Sequence, residues 1–344
     1  LKNMKKILSI DGGGIRGIIP GQVMVALERK LQKRTGNPDA RLVDFFDFFA
    51  GTSTGGILSC ICLCPSADDP AKARFSAQDA VELYMNHGEE IFDVSFWKRL
   101  RSGRGYLDEK YKEFALEKYL KSYFGDLKLS ELLKPCLIPA YDIDRRETHF
   151  FAQHDRAIKG KGCDFLVRDV CRATSAAPTY FETALVKSCS GVSYPLIDGG
   201  VFANNPSLCA YSEVRNAKDN PTAAEMFMVS IGTGSKHRPY DYDKAQDWGA
   251  VGWIQPLIDI MMAGASETTD YHLSRMFSAR DKGENYIRIQ PSRMGNASLD
   301  MDNASKENLA ALAEVGIETS EDCSQELDRV VEVLLEGLDP VEFL

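Results

Sequence analysis

The serine at position 53 stands in a sequence pattern that can make its hydroxyl a nucleophile. Residues 51–55 read G-T-S-T-G, which fits G-x-S-x-G, and they follow the apolar run 45–50. In a nucleophile elbow a strand enters a sharp turn and then a helix, so that the serine hydroxyl is exposed on a strained corner. Glycines at the turn avoid the clash that a Cβ would make. A glycine-rich connection with an ordinary surface serine is the alternative, but the flanking apolar segments favour a nucleophile.

A second chemical feature is the glycine-rich segment 11–17, D-G-G-G-I-R-G. It lies between a short apolar run at 5–10, which predicts a strand, and an amphipathic run at 18–34, which predicts a helix. The spacing matches neither G-x-G-x-x-G nor G-x-x-x-x-G-K-S/T, the two common phosphate loops. Three consecutive glycines can instead supply the N–H donors of an oxyanion hole. A tight strand-to-helix turn without a ligand is the alternative.

A nucleophilic serine needs a base, and the chain offers two kinds. In α/β-hydrolases the order along the chain is serine, acid, histidine. His237 and His272 follow Asp198 and fit that order. However, His237 stands in a Lys-His-Arg run and His272 within a predicted helix, so a triad stays open without support.

Asp198 is the other candidate base. It follows a predicted strand at 194–197 and precedes two glycines. Ligand sites of open α/β sheets form at the carboxyl ends of strands, so we expect Asp198 and Ser53 to meet there. A free aspartate, with a pKa of about 3.9, is a weak base. An enclosed apolar site would raise that pKa. The alternative is an aspartate that only caps a turn at a strand end.

Composition limits the function classes. The 344 residues carry a net charge of -9, which disfavours a nucleic-acid partner. Nine scattered cysteines do not form a disulfide framework, so we expect a reducing, cytoplasmic setting. Cys60, Cys62 and Cys64 could suggest a metal, but we expect small apolar side chains in a buried helix. No apolar run reaches the length of a membrane span.

The order of predicted elements indicates the fold. Strands alternate with helices, which predicts an α/β fold with a mostly parallel central sheet and helices on both faces. We expect one domain over residues 1–344, with a motif-bearing core at about 5–235 and the strand and helices of 236–344 packed on it. Two segments could contact lipid. Residues 92–107 mix aromatic and basic side chains but also suit a mobile loop, and the apolar run 253–262 is expected to be a core helix.

Three segments together resemble the patatin-like phospholipases. D-G-G-G-I-R-G at 11–17, G-T-S-T-G at 51–55 and D-G-G at 198–200 match, in order and spacing, the three motifs of that family. Residues 173–181 and 204–206 are also similar, and the resemblance covers roughly residues 5–235. It implies a three-layer patatin-like fold and a lipid acyl hydrolase with a Ser–Asp dyad, without a catalytic histidine, a metal or another cofactor.

The resemblance also implies a role for each motif residue. Ser53 corresponds to the nucleophile and Asp198 to the general base. Backbone N–H groups of the loop would form the oxyanion hole, beside an arginine that orders the loop or offsets negative charge. The loop residues concerned are Gly12, Gly13, Gly14 and Arg16.

The activity implied is of phospholipase A or lysophospholipase type on phospholipids or other acyl-ester lipids. The protein would then be peripheral at membranes and touch their surface transiently. Three alternatives stay open: a triad-type carboxylesterase, a non-catalytic lipid- or partner-binding protein, and a phospholipase effector that is silent without an activator such as a cyclic nucleotide. The sequence specifies no oligomeric state.

Overall fold

The structure, a computed structural model, describes residues 4–92, 109–234, 239–279 and 283–337. Most of the aromatic and basic segment 92–107 lies outside these ranges, as does His237. Within the described ranges the strands form one sheet. They are β1 (Lys5–Ile10), β2 (Phe48–Gly51), β3 (Cys136–Asp142), β4 (Glu147–Ala152), β5 (Ala184–Lys187), β6 (Ser193–Asp198), β7 (Met226–Ile231) and β8 (Tyr286–Ile289).

Helices connect the strands and surround the sheet. In the described ranges they are α1 (Ile18–Thr35), α2 (Leu42–Phe45), α3 (Thr54–Cys62), α4 (Ala77–Ile91), α5 (Glu109–Phe124), α6 (Asp155–Lys159), α7 (Val167–Thr174), α8 (Gly200–Ala203), α9 (Ser207–Arg215), α10 (Tyr242–Ala245), α11 (Ala250–Ser278), α12 (Lys306–Asp322) and α13 (Ser324–Leu335). The prediction of an α/β fold with a mostly parallel sheet is confirmed.

The sheet is parallel in its larger part and antiparallel at one side. The strand order is β5-β6-β3-β2-β1-β7-β8, and β4 pairs with β3 outside this path. Strands β3, β2, β1, β7 and β8 run parallel to one another. By contrast, β4 and β6 are antiparallel to β3, and β5 is antiparallel to β6. Strand β5 is absent from the sequence prediction because its buried and exposed residues alternate over four positions only.

Apolar residues cover both faces of the sheet. Successive side chains of a strand point to opposite faces. On β1, Ile7 therefore joins a buried cluster with residues of α9 and α11, such as Val214 and Leu273. Leu8 and Ile10 join the larger cluster on the other face, to which α1, α3, α4, α12 and α13 contribute. Helices thus lie on both faces, as predicted.

The chain after residue 236 extends the same sheet. Strand β8 pairs in parallel with β7, with Val229 opposite Ile287. Leu309 and Leu312 of α12 and Val331 of α13 lie in the larger core cluster. We retain as a proposal that residues 1–344 form one domain, and these contacts support it. The run 253–262 departs from its prediction as a core helix, because several of its apolar side chains are exposed on α11.

Candidate active site

Ser53 lies on a sharp corner between β2 and α3. Its backbone has φ 54° and ψ -123°, a combination that residues other than glycine rarely adopt. The corner is therefore strained. A Cβ on Gly51 would overlap the carbonyl oxygen of Gly55, and a Cβ on Gly55 would overlap that of Ile10. Both glycines of G-x-S-x-G are therefore needed for the close approach of strand and helix. The Ser53 N–H donates to Oγ1 of Thr174 at 3.0 Å, which fixes the corner.

Asp198 reaches the same place from the opposite direction. β4 pairs along one edge of β3 from Leu137 to Asp142, so β2 and β6 share the other edge. β2 pairs with the beginning of β3, and β6 runs antiparallel along its end, with Asp198 opposite Ala140. The carboxyl ends of β2 and β6 consequently converge. Ser53 and Asp198 thus meet at the carboxyl ends of their strands, as expected, although β2 is parallel and β6 antiparallel to β3.

The environment of Asp198 makes it a stronger base than a free aspartate. Its side chain is buried, and this burial raises its pKa to about 7. Two hydrogen bonds act in the other direction by stabilising the carboxylate. The Gly200 N–H donates to Oδ1 at 2.6 Å, and the Ser53 hydroxyl donates to the carboxylate as well. A base with a pKa near neutrality, bonded to the hydroxyl it would deprotonate, is suited to general base chemistry.

The three glycines of the loop differ in what their N–H groups can do. The Gly12 N–H donates to the carbonyl of Asn204 at 2.9 Å, and Gly12 does not line the cavity at Ser53. The Gly12 N–H thus already has an acceptor, and the expectation that it also serves as an oxyanion donor stays a prediction. Gly13 and Gly14 do line that cavity. Neither N–H has a hydrogen-bond acceptor within the described ranges. Of the three glycines, Gly13 and Gly14 therefore have N–H groups that could donate to a ligand in the cavity.

The Arg16 side chain supports the glycine loop by hydrogen bonds. It is buried, and burial lowers its pKa, while nearby carboxylates such as Asp259 act in the opposite direction. Its Nε donates to the Gly13 carbonyl at 3.4 Å and its Nη1 to the Gly234 carbonyl at 3.1 Å. The side chain therefore ties the glycine loop to the segment after β7. It does not line the cavity at Ser53, so it holds the loop and does not contact a substrate there.

A largely apolar cavity opens over Ser53 and Asp198. Its apolar lining includes Ile57, Leu83, Ile91, Phe92, Leu116, Phe181, Val201, Ile258, Met262 and Met301. Such a lining fits a hydrocarbon chain, and the polar groups of Ser53, Asp198 and the loop are concentrated at one point of it. Residues of α4, α5 and α11 thus join the three motifs at the site.

Histidine and metal chemistry receive no support from the described residues. No histidine among them lines the cavity. His272 lies on α11 with its ring against Tyr271, while His237 lies outside the described ranges. The described part of the chain also contains no group of three His, Cys, Asp or Glu side chains that could hold a metal ion. Cys60, Cys62 and Cys64 are buried in the larger core cluster.

Sequence reasoning missed two threonines near the site. The Thr174 hydroxyl accepts a hydrogen bond from the Ser53 N–H and donates one to the Pro139 carbonyl at 2.7 Å. Thr233 bonds the Gly12 carbonyl at 2.8 Å. A signal existed for Thr233, since Gly-Thr-Gly at 232–234 follows an apolar strand and small residues there permit close backbone approach.

Several known proteins resemble this chain in sequence. The family model described as patatin-like phospholipase matches residues 8–210. "Patatin-like protein 2" of Oryza sativa subsp. indica is 37% identical, over 91% of this chain and 83% of that protein. "Patatin group J-1" of Solanum tuberosum is 33% identical, over 92% and 84%. "Probable inactive patatin-3-Kuras 1" of the same plant is 34% identical, over 92% and 86%.

Among solved structures, VipD from Legionella pneumophila aligns with a TM-score of 0.43 at 14% identity, over 95% of this chain and 67% of that one. The family match covers more than half of the chain, and the plant relatives exceed 30% identity over most of both lengths. This chain belongs to the patatin-like phospholipase family.

Proposed function

We propose that this protein is a lipid acyl hydrolase that cleaves fatty acyl esters with a Ser53–Asp198 dyad. The observation that carries the proposal is the buried carboxylate of Asp198, hydrogen-bonded to the Ser53 hydroxyl at the polar point of an apolar cavity. Family membership alone is insufficient, because one similar protein bears the name of a probable inactive patatin. The groups that this chain itself brings together are therefore what supports hydrolase activity.

The acylation step follows from the positions of these groups. Ser53 Oγ attacks the ester carbonyl carbon while Asp198 accepts the hydroxyl proton. The resulting oxyanion accepts hydrogen bonds from the N–H groups of Gly13 and Gly14, which stabilise it relative to the ground-state carbonyl. The tetrahedral adduct then collapses. The bond to the alcohol oxygen breaks, and Asp198 returns its proton to the leaving alcohol or lysolipid.

Deacylation repeats these steps with water. Asp198 accepts a proton from a water molecule that attacks the acyl-serine carbonyl, and the same two N–H groups hold the second oxyanion. Collapse releases the fatty acid, and the proton on Asp198 restores the Ser53 hydroxyl. The dyad needs no histidine, because the buried Asp198, with its pKa of about 7, can act as base and then as acid.

The test compares two substrates and three variants in the presence of EDTA. Fatty-acid release from phospholipid vesicles and hydrolysis of a short-chain p-nitrophenyl ester are measured for wild type, Ser53→Ala and Asp198→Asn. We expect each variant to lose about 10³-fold or more on both substrates, as for other nucleophile–base pairs. Ser59→Ala is the matched control, since Ser59 is a buried serine of the same helix α3.

Two results would contradict the proposal. Retained activity in Ser53→Ala would exclude this serine as the nucleophile. Full activity in Asp198→Asn, with loss in His272→Ala or His237→Ala, would replace the dyad by a triad. A wild type that is inactive on both substrates would favour an effector that needs an activator, or a binding role, and small-molecule ligands would then be screened by thermal shift.

The lipid substrate also implies contact with a membrane surface. Within the described ranges no helix has the length and apolar character to cross a bilayer. On α11, however, Trp253, Leu257 and Met261 are exposed, while Ile258 and Met262 of the same helix line the cavity. We propose that this exposed face of α11 contacts the lipid surface from which substrate enters the cavity.

A further inference from the structure

Thr233 lies beneath the glycine loop, outside the three motifs. It follows β7 within the segment Gly232-Thr233-Gly234, and its side chain is buried. Its hydroxyl donates to the carbonyl oxygen of Gly12 at 2.8 Å. This hydrogen bond joins residues that are 221 positions apart in the chain, so Thr233 does not bond to a neighbour in sequence.

The bond to Gly12 determines where the Gly13 N–H points. The Gly12 carbonyl and the Gly13 N–H belong to one peptide group, which is planar and trans, so the two bonds point in opposite directions. Thr233 holds the carbonyl from below the loop. The Gly13 N–H is thereby directed away from Thr233, and Gly13 is one of the two glycines that line the cavity at Ser53.

The side chain of Thr233 also fills the space under Gly13. A Cβ on Gly13 would lie 2.6 Å from Cβ and 2.8 Å from Cγ2 of Thr233. The side chain of Thr233 therefore occupies the space that a Gly13 Cβ would need, so Thr233 packs against the loop at Gly13. The loop is thus supported by one hydrogen bond and one steric contact from the same residue.

The next peptide group is held in the same manner by Arg16. The Arg16 N–H and Nε both face the Gly13 carbonyl, at 3.2 and 3.4 Å. Because that carbonyl and the Gly14 N–H share a peptide plane, the Gly14 N–H points the opposite way. Thr233 thus fixes the orientation of the Gly13 N–H, and Arg16 fixes that of the Gly14 N–H.

The chain around Thr233 is itself fixed on both sides. The Gly234 N–H donates to Oε1 of Gln290, just after β8, at 3.1 Å. The Gly234 carbonyl accepts from Arg16 at 3.1 Å, and the Gly232 N–H donates to the Ile289 carbonyl at 2.9 Å. Thr233 therefore has a defined position relative to the sheet, which a residue that aims a donor requires.

We propose that Thr233 is a positioning residue that aims the Gly13 N–H at the oxyanion formed during acyl transfer. This proposal rests on the proposed function, because it assigns a role within that reaction. Without the hydroxyl, the Gly12–Gly13 peptide group can rotate and its donor loses alignment. The loss affects the charged tetrahedral adduct more than the neutral ester, so it lowers kcat and leaves KM nearly unchanged.

The test uses two substitutions that each remove one of the two contacts of Thr233. Thr233→Val keeps the steric contact and removes the donor, whereas Thr233→Ser keeps the donor and removes the methyl group. On the short-chain p-nitrophenyl ester we expect kcat of Thr233→Val to fall by roughly tenfold to a hundredfold, less than when an oxyanion donor is lost outright. We expect KM to change by less than about threefold and Thr233→Ser to stay within about threefold of wild-type kcat.

A second readout does not require turnover. A trifluoromethyl ketone forms a hemiketal with a serine nucleophile, and its oxygen takes the place of the oxyanion. We expect Thr233→Val to weaken inhibition by this ketone by the same factor as kcat, and Thr233→Ser to restore it. If Thr233→Val does not fold, Thr233→Ala removes the same hydroxyl and carries the same expectation.

Several outcomes would overturn the assignment. Equal losses in Thr233→Val and Thr233→Ser would indicate a packing role, and a change confined to KM would indicate substrate binding. Unchanged kcat in Thr233→Val would exclude any role. Failure of the proposed function is recognised separately, since Ser53→Ala would then retain the wild-type activity and its ketone sensitivity.

Discussion

At the scale of single residues, Asp198 determines how the site should respond to pH. In the proposed mechanism the carboxylate form accepts the Ser53 proton, and burial raises the pKa of Asp198 to about 7. Below that pH the protonated form prevails and cannot act as a base. Above it the carboxylate prevails. A raised pKa therefore moves the loss of activity into the range between pH 5 and 7, where an exposed aspartate would already be fully ionised.

We predict that kcat/KM on the short-chain ester rises about tenfold per pH unit below pH 6 and levels off above pH 8. The measurement is a profile from pH 5 to 9 with a substrate that does not ionise in this range. Thermal unfolding at each pH serves as the control for loss of structure. A profile that is flat from pH 5 to 9 would contradict the raised pKa of Asp198.

The direction of each N–H group of the glycine loop is also determined by single residues. The run of three glycines suggested three equivalent N–H groups. Their equivalence is removed by one backbone hydrogen bond, from Gly12 to the carbonyl of Asn204. Asn204 lies far along the chain, and nothing in the local sequence indicates this partner. Residue types could thus be predicted from the sequence, whereas the direction of each N–H depends on contacts that only the folded chain supplies.

At the scale of elements, the elbow between β2 and α3 stores backbone strain at Ser53. A non-glycine residue at φ 54° and ψ -123° costs about 1–3 kcal/mol. A glycine would relieve this strain but loses about 0.4–1 kcal/mol through the greater entropy of the unfolded chain. The relief of strain is larger than this entropic loss. The native corner persists because the surrounding contacts, such as the hydrogen bond from the Ser53 N–H to Thr174, outweigh this strain.

We predict that Ser53→Gly is more stable than Ser53→Ala by about 1 kcal/mol, because only the glycine relieves the corner. The free energies of unfolding of both variants are measured in denaturant. At Ser59, within the regular helix α3, the order should be reversed, since glycine is the poorer helix former by about 1 kcal/mol. Equal stabilities of the two Ser53 variants would mean that the corner is not strained.

The elements also show why the site could be predicted in part. Strong patterns predicted the strand at 5–10 and the helix at 18–34, and the structure places these elements at Lys5–Ile10 and Ile18–Thr35. The direction of β6 could not be predicted, because a short apolar run has the same pattern in parallel and antiparallel pairing. Its partner is selected by the free edge of β3 beyond β2. That edge exists only in the assembled sheet.

At the scale of the whole molecule, the C-terminal part supports the loop of the N-terminal motif. Arg288 of β8 pairs with Asp11, its Nη1 lying 2.8 Å from the carboxylate, and both side chains are largely buried. The Ile15 N–H donates to the Met301 carbonyl at 2.9 Å. Residues after 236 match none of the three motifs. Their contribution to the site is visible only in the folded protein, where they lie directly beneath and beside the loop.

The exposed face of α11 is the other property of the whole molecule. Apolar character alone predicted burial for the run 253–262, because most such runs lie in a core. In the structure the side chains of Trp253, Leu257, Ile260 and Met261 are 39–49% exposed, and the first three are spaced by one helical turn each. They form a continuous apolar face beside the cavity. Contact with a lipid surface would remove this apolar area from water, which is favourable.

We predict that Trp253→Ser combined with Leu257→Ser lowers the rate on phospholipid vesicles about tenfold or more, since each half-exposed side chain would contribute about 1–2 kcal/mol when buried in lipid. The rate on the short-chain soluble ester should stay within about twofold, because neither residue lines the cavity. Ile317→Ser is the matched control: Ile317 is 50% exposed on α12, a helix packed on α1. Similar losses on both substrates, or from the control, would place the lipid contact elsewhere on the molecule.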